Sequence, residues 1–141
     1  VYCFGAGWDK LECEHPENIR KGDVLDSLGC LQQISRAKIS LNVMPWFKDG
    51  AHDRIFNSML NGAVCLSDGS KYLDEILKDG VDYRLYDLAD LEKLPQTVGD
   101  ILSDRDEWES MQKKAYALAS KKHTWADRAR RIHQEILCKI P

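Results

Sequence analysis

The sequence predicts an α/β fold: a parallel sheet flanked by helices, with a helical C-terminal segment. Three observations in the stretch from Ile39 to Glu75 carry this. Ile39-Ser40-Leu41-Asn42-Val43-Met44 alternates apolar and polar residues up to Pro45, whose fixed φ and missing N–H end a strand. Ile55, Phe56, Met59 and Leu60 then recur on one helical face, and Asn61-Gly62 stops that helix. Ala63-Val64-Cys65-Leu66 is a continuous apolar run, as in a strand covered on both faces and therefore in a parallel sheet. Strand, helix and strand make a βαβ unit.

The other elements follow from the same signals. Val1-Tyr2-Cys3-Phe4 is a β-prone run closed by the turn Gly5-Ala6-Gly7-Trp8. That turn resembles a dinucleotide fingerprint only weakly, because Lys10 stands where the third glycine belongs and no long helix follows, so a nicotinamide site is rejected. It serves either as a structural turn or as a close approach to a phosphate or sugar. Ile19 to Val24 reads as a short edge strand, and Leu28, Leu31, Ile34 and Ala37 mark a helix between Leu25 and Lys38, a second crossover into Ile39. Ser67-Asp68-Gly69-Ser70 reads as a polar loop, with Ser70 capping a helix through Tyr72, Leu73, Ile76 and Leu77 that Asp79-Gly80 ends. Tyr83 to Tyr86 is one more strand. A helical stripe follows over Leu91, Leu94, Val98, Ile101 and Leu102. Asp104 with Glu107 opens the next helix in capping-box fashion, and Thr124 caps the last, which carries Trp125, Ala129, Ile132 and Ile136.

A length of 141 residues predicts one domain, residues 1–141, with a core of its own. Hydrophobic content of 43% and charged content of 30% are those of an ordinary globular protein, and a net charge of −3 argues against general binding to nucleic acid or anionic membranes. The basic cluster Arg128, Arg130 and Arg131 is accordingly read as a solvated face or a domain contact. Five cysteines, Cys3, Cys13, Cys30, Cys65 and Cys138, form no close pairs, and an odd number cannot all be bridged within one chain; Cys3 and Cys65 sit inside apolar strand-like runs, which points to buried free thiols in a reducing cytoplasm. Their spacing does not suit zinc, and no metal is expected. No stretch approaches a membrane span, and Val1 opening within a strand suggests a piece of a longer protein.

Chemistry is expected where the strand from Ile39 hands over to the helix, since ligands in open α/β sheets bind beyond the carboxyl ends of strands. His52, Asp53 and Arg54 occupy that helix's first turn, where a cation opposes the helix dipole by about 0.3–1 kcal/mol and an anion would remove the conflict. Gly50 would allow close approach, free N–H groups would point outward, and Arg54 would grip phosphate oxygens. The alternative is that Asp49 and Asp53 simply neutralise Arg54 on a solvated surface.

Three segments carry a resemblance to a known family: Ala37 to Val43, Gly50 to Val64, and Leu73-Asp74-Glu75 with Asp79-Gly80. They resemble the C-terminal half of a GT-B glycosyltransferase, and more narrowly the group-1-like branch that includes spore-maturation glycosyltransferase-like proteins. The likeness runs from the Gly5-Ala6-Gly7 turn to His123-Thr124-Trp125. It implies a Rossmann-like domain that binds a nucleotide-sugar donor and is paired in the parent protein with an N-terminal acceptor domain, without metal or other cofactor. The broader family has two glutamates eight positions apart around the donor; Asp49 and Asn57 stand at those positions here. On this resemblance the diphosphate falls to the backbone of Gly50 and Ala51 with His52 and Arg54, a ribose hydroxyl to Asn57, and Glu75 lies near the nucleotide. His52 as a structural loop histidine and Glu75 as a solvated helix residue are the alternatives. A non-catalytic binding module of the same fold is the competing function, with the two lost glutamates as its sign. A phosphoacceptor receiver is disfavoured because the strand ends in Pro45-Trp46 rather than an acceptor aspartate.

Overall fold

The structure, a computed structural model, describes residues 1–139 and divides into two compact units, Val1–Gln33 and the remainder from Ile34. In the first, β1 (Tyr2–Phe4) and β2 (Arg20–Gly22) pair in parallel, Cys3 opposite Lys21. The Gly5-Ala6-Gly7 turn leads into a short 3-10 turn, Trp8–Lys10, and the Trp8 indole N–H donates to the Phe4 carbonyl at 3.1 Å. Helix α1 (Ser27–Ile34) begins later than Leu25 and stops before Lys38.

The second unit holds β3 (Ile39–Asn42), β4 (Val64–Asp68) and β5 (Arg84–Tyr86), all parallel in the order β3-β4-β5. The strands thus form two sheets instead of the one expected. Helix α1 is not a crossover within one sheet, because β2 pairs with β1 and β3 with β4. Helices α2 (Asp53–Leu60), α3 (Lys71–Ile76), α4 (Leu94–Ser103), α5 (Arg105–Lys122) and α6 (Trp125–Leu137) complete it.

Strand β4 is buried along its whole length, as its apolar run predicts, and its alternating side chains feed two cores. Cys65 joins Ile55, Phe56, Met59, Leu73 and Tyr83 in one, with Ala115 and Ala119 of α5. Val64 and Leu66 join Tyr86, Ile101 and Met111 in the other. Burial of each large apolar side chain contributes about 1.5–3 kcal/mol, so Ile55 and Met59, both 0% exposed, fix α2 against the sheet. Gly62 ends α2 at φ 82°, a left-handed conformation that costs glycine little. Its carbonyl accepts the Gln112 side-chain N–H at 2.7 Å, which ties that turn to α5.

At the carboxyl edge of this sheet, the ends of β3 and β4 differ from the sequence reading. The third strand ends at Asn42, not Met44, because the Met44 N–H turns away from strand pairing to donate to the Asp68 carboxylate at 2.7 Å. Ser67 and Asp68, expected in a loop, belong to β4 and pair with Leu85 and Tyr86. Their polarity is accommodated inside by side-chain bonds: Asn42 Nδ2 donates to Ser67 Oγ at 2.9 Å, and the Tyr86 hydroxyl to the Asn42 carbonyl at 2.9 Å.

Candidate functional site

At the carboxyl edge of the three-stranded sheet, the loop after β3 lies against the loop after β4. Ser70, half of whose hydroxyl bonding caps α3 by accepting from the Leu73 amide at 3.2 Å, donates to the Gly50 carbonyl at 2.6 Å. The Lys71 amide donates to the Lys48 carbonyl at 2.9 Å, and Lys71 Nζ lies 2.8 Å from Asp49 Oδ1. Lys48 Nζ reaches the Gly69 carbonyl at 3.0 Å and Asp68 Oδ2 at 2.5 Å. Asp68 itself is 1% exposed.

The expected opening of α2 is in place. His52 is its N-cap, with Nδ1 accepting the Arg54 amide at 3.2 Å and lying 2.6 Å from Asp53 Oδ1. The two contacts need different states of the ring: a bare Nδ1 accepts from Arg54, a protonated one donates to Asp53. His52 is structural as the cap of α2, and its side chain is half-exposed. The amides of Gly50 and Ala51 donate to nothing among the described residues. Arg54 is exposed, and no ion pair reaches its guanidinium among the described residues. Among the described residues neither Asp49 nor Asp53 pairs with Arg54: Asp49 lies against Lys71, and Asp53 beside His52.

Gly50 also has a reason within the loop itself. A Cβ there would lie 2.4 Å from Cζ of Phe47, so the missing side chain accommodates the Phe47 ring within the loop. Ala51 and Asn57 are half-buried and line a cavity of about 290 Å³ together with Asp53, Phe56, His123 and Arg128. In it the Arg128 guanidinium sits 5.0 Å from the Phe56 ring centroid, and Phe56 stacks on His123 at 4.8 Å. Burial, with Arg128, Lys122 and Arg131 nearby, holds the His123 pKa below its ordinary value. Glu75 is exposed on α3 and lines another groove, facing Lys121, Lys122, Arg130 and Arg131 of α5 and α6.

The structure thus brings Asp49, Gly50, Ala51, His52 and Arg54 together, sets Asn57 one turn further along α2, and places Glu75 in a separate groove. Sequence reasoning passed over Lys48 and Asp68. The available signal was an acid two positions beyond the apolar run Ala63 to Leu66, with a lysine in the loop after the preceding strand. Among the described residues no cluster of three or more His, Cys, Asp or Glu is arranged to hold a metal ion, and no helix is long and apolar enough to cross a membrane.

The Anabaena protein HepE in complex with UDP-glucose superposes with a TM-score of 0.74 at 15% identity, over 86% of this chain and 33% of that one. Its complex with UDP gives the same TM-score, 0.74, at 15% identity and the same shares, 86% and 33%. An α-glucosyltransferase in complex with UDP-glucose and DNA containing an abasic site superposes with a TM-score of 0.66 at 16% identity, over 98% of this chain and 38% of that one. The chain therefore spans about a third of the length of the solved structures it matches. At these identities the likeness shows the fold alone, a Rossmann-like α/β domain. No curated protein matches the sequence. Residues 1–134 match the family described as Glycosyl transferase-like, and the chain belongs to that family.

Proposed function

We propose that this chain is the nucleotide-sugar-binding half of a glycosyltransferase and stabilises the departing nucleoside diphosphate while an acceptor hydroxyl attacks the anomeric carbon. The observation that carries the reading is the start of α2, at the carboxyl edge of a parallel sheet: the amides of Gly50 and Ala51 and the Arg54 guanidinium have no partner among the described residues. Donors placed there meet negative charge as it develops on the leaving group. Solved proteins of this fold that hold UDP or UDP-glucose support the ligand class.

In this reading Gly50, Ala51, His52 and Arg54 hold the diphosphate, Asn57 takes a ribose hydroxyl, Asp49 faces the sugar, and Glu75 contributes at the nucleotide. An N-terminal domain of the full-length protein holds the acceptor and supplies any catalytic base, within the spore-maturation-like branch of the family. The free cysteines, three of them exposed, suit work in the cytoplasm. A second reading, a binding module without transfer activity, is favoured by one observation: Asp49, which stands at a family glutamate position, is already held by Lys71.

Calorimetric titration with UDP, GDP, ADP and dTDP tests both. The expected result is selective binding of one nucleotide, weakened about 10–100-fold by Arg54→Ala, the loss of one charge-assisted contact of ~1.5–3 kcal/mol. Absence of binding at millimolar nucleotide would sink the donor-site reading.

A further inference from the structure

We infer that Asp68 is the positioning residue of this site: its buried carboxylate sets the conformation of the loop from Met44 to Ala51, and through it the affinity for a nucleoside diphosphate. The inference rests on the donor-site reading above but is argued from different residues. Asp68 ends the central strand β4 at 1% exposure, so it cannot itself touch a ligand. Both of its oxygens are committed to the loop that follows β3, a segment some twenty residues earlier in the chain. One accepts the Met44 amide at 2.7 Å and so fixes where the loop leaves the sheet. The other accepts Lys48 Nζ at 2.5 Å, drawing the loop's middle over the end of β4.

From Lys48 the constraint passes outward. The Lys48 carbonyl accepts the Lys71 amide, and two residues on, the Gly50 carbonyl accepts the Ser70 hydroxyl at 2.6 Å. With its carbonyl held, the Gly50 peptide has a fixed orientation, and so does the Ala51 amide that the same peptide plane carries. Lys48 keeps its side chain 44% exposed, so the pair is a buried acid steering a surface lysine rather than an enclosed ion pair. A buried carboxylate deprived of one of two charge-assisted bonds is strongly disfavoured, which makes the loop's arrangement one of few that satisfy Asp68.

Asp68→Asn tests this while keeping size. Its amide oxygen still accepts from Met44, but its NH2 group now faces the Lys48 ammonium, donor against donor. Lys48→Met is the second variant, at a partly exposed position. Ile101→Ala, in the other core, is the control for general destabilisation. In the ligand-free 141-residue chain, the Lys71 amide should exchange with solvent at least ~10-fold faster in both loop variants, in line with the loss of one charge-assisted bond, while the Cys65 and Leu66 amides are unchanged. Affinity for the nucleotide that the parent chain selects should fall about 10-fold in both and stay at the parent value in Ile101→Ala, even where the thermal midpoints drop equally.

Unchanged exchange at Lys71 overturns the proposal. Faster exchange with unaltered affinity also overturns it, leaving Asp68 a residue of stability alone. If the parent chain binds no nucleotide, the donor-site reading and the affinity half of this proposal fall together, and the exchange arm still decides whether Asp68 sets the loop.

Discussion

His123 shows how a single residue couples the last two helices to pH. It is the C-cap of α5, lies 9% exposed, and stacks on Phe56 with an interplanar angle of 18°. Burial first, then the positive charges of Arg128, Lys122 and Arg131, lower its pKa in the folded chain. The unfolded chain takes up the proton more readily, so the stabilising contribution is complete above the ordinary histidine pKa of about 6.5 and is lost as pH falls through the folded value. The thermal midpoint is therefore expected to decline between pH ~7 and ~5, above the range where the carboxylates titrate, and His123→Phe, which retains a ring on Phe56, should flatten that decline. A midpoint that stays level in the parent chain would contradict this. The same residue was legible in the sequence only as part of a helix start; its burial depends on Phe56, a contact across 67 positions that no local pattern announces.

At the scale of elements, what could be read from sequence was what neighbouring residues decide. Thr124 caps α6 in a complete capping box, its hydroxyl accepting from the Asp127 amide at 3.1 Å while the Asp127 carboxylate accepts from the Thr124 amide at 3.3 Å. Asp104 makes half of such a box, accepting from the Glu107 amide at 2.9 Å. Thr124→Ala should cost about 0.5–2 kcal/mol, read as a lowered urea midpoint, and Thr124→Ser should restore most of it. Ser70, Gly62 and the buried run of β4 were legible for the same local reason. The two strand ends were not. Met44 and Asp68 meet across 24 positions, and Ser67 pairs with Asn42 across 25, so polar residues that read as loop are drawn into the sheet by partners far along the chain. The loop between them was legible in location, through the rule that strand ends bind ligands, but not in shape: the Phe47 ring packs where a side chain at Gly50 would stand.

Across the whole molecule, stability is unevenly distributed. Every residue of β4 is buried between two cores, whereas no residue of Val1–Gln33 is buried. Amides of β1 and β2 should accordingly exchange with solvent orders of magnitude faster than those of β4, since local opening there exposes little apolar surface; equal protection would refute the assignment. The candidate site belongs to the well-packed part but lies at its rim, where the starts of two helices meet. Four bonds join the residues from Lys48 to Gly50 with those from Gly69 to Lys71. A bracket of this kind ties the chain leading into α2 to the start of α3, so a shift of one strains its bonds to the other. A ligand held at Arg54 would thus be held by a frame rather than by a loop, with little of its binding energy diverted into ordering the chain that receives it.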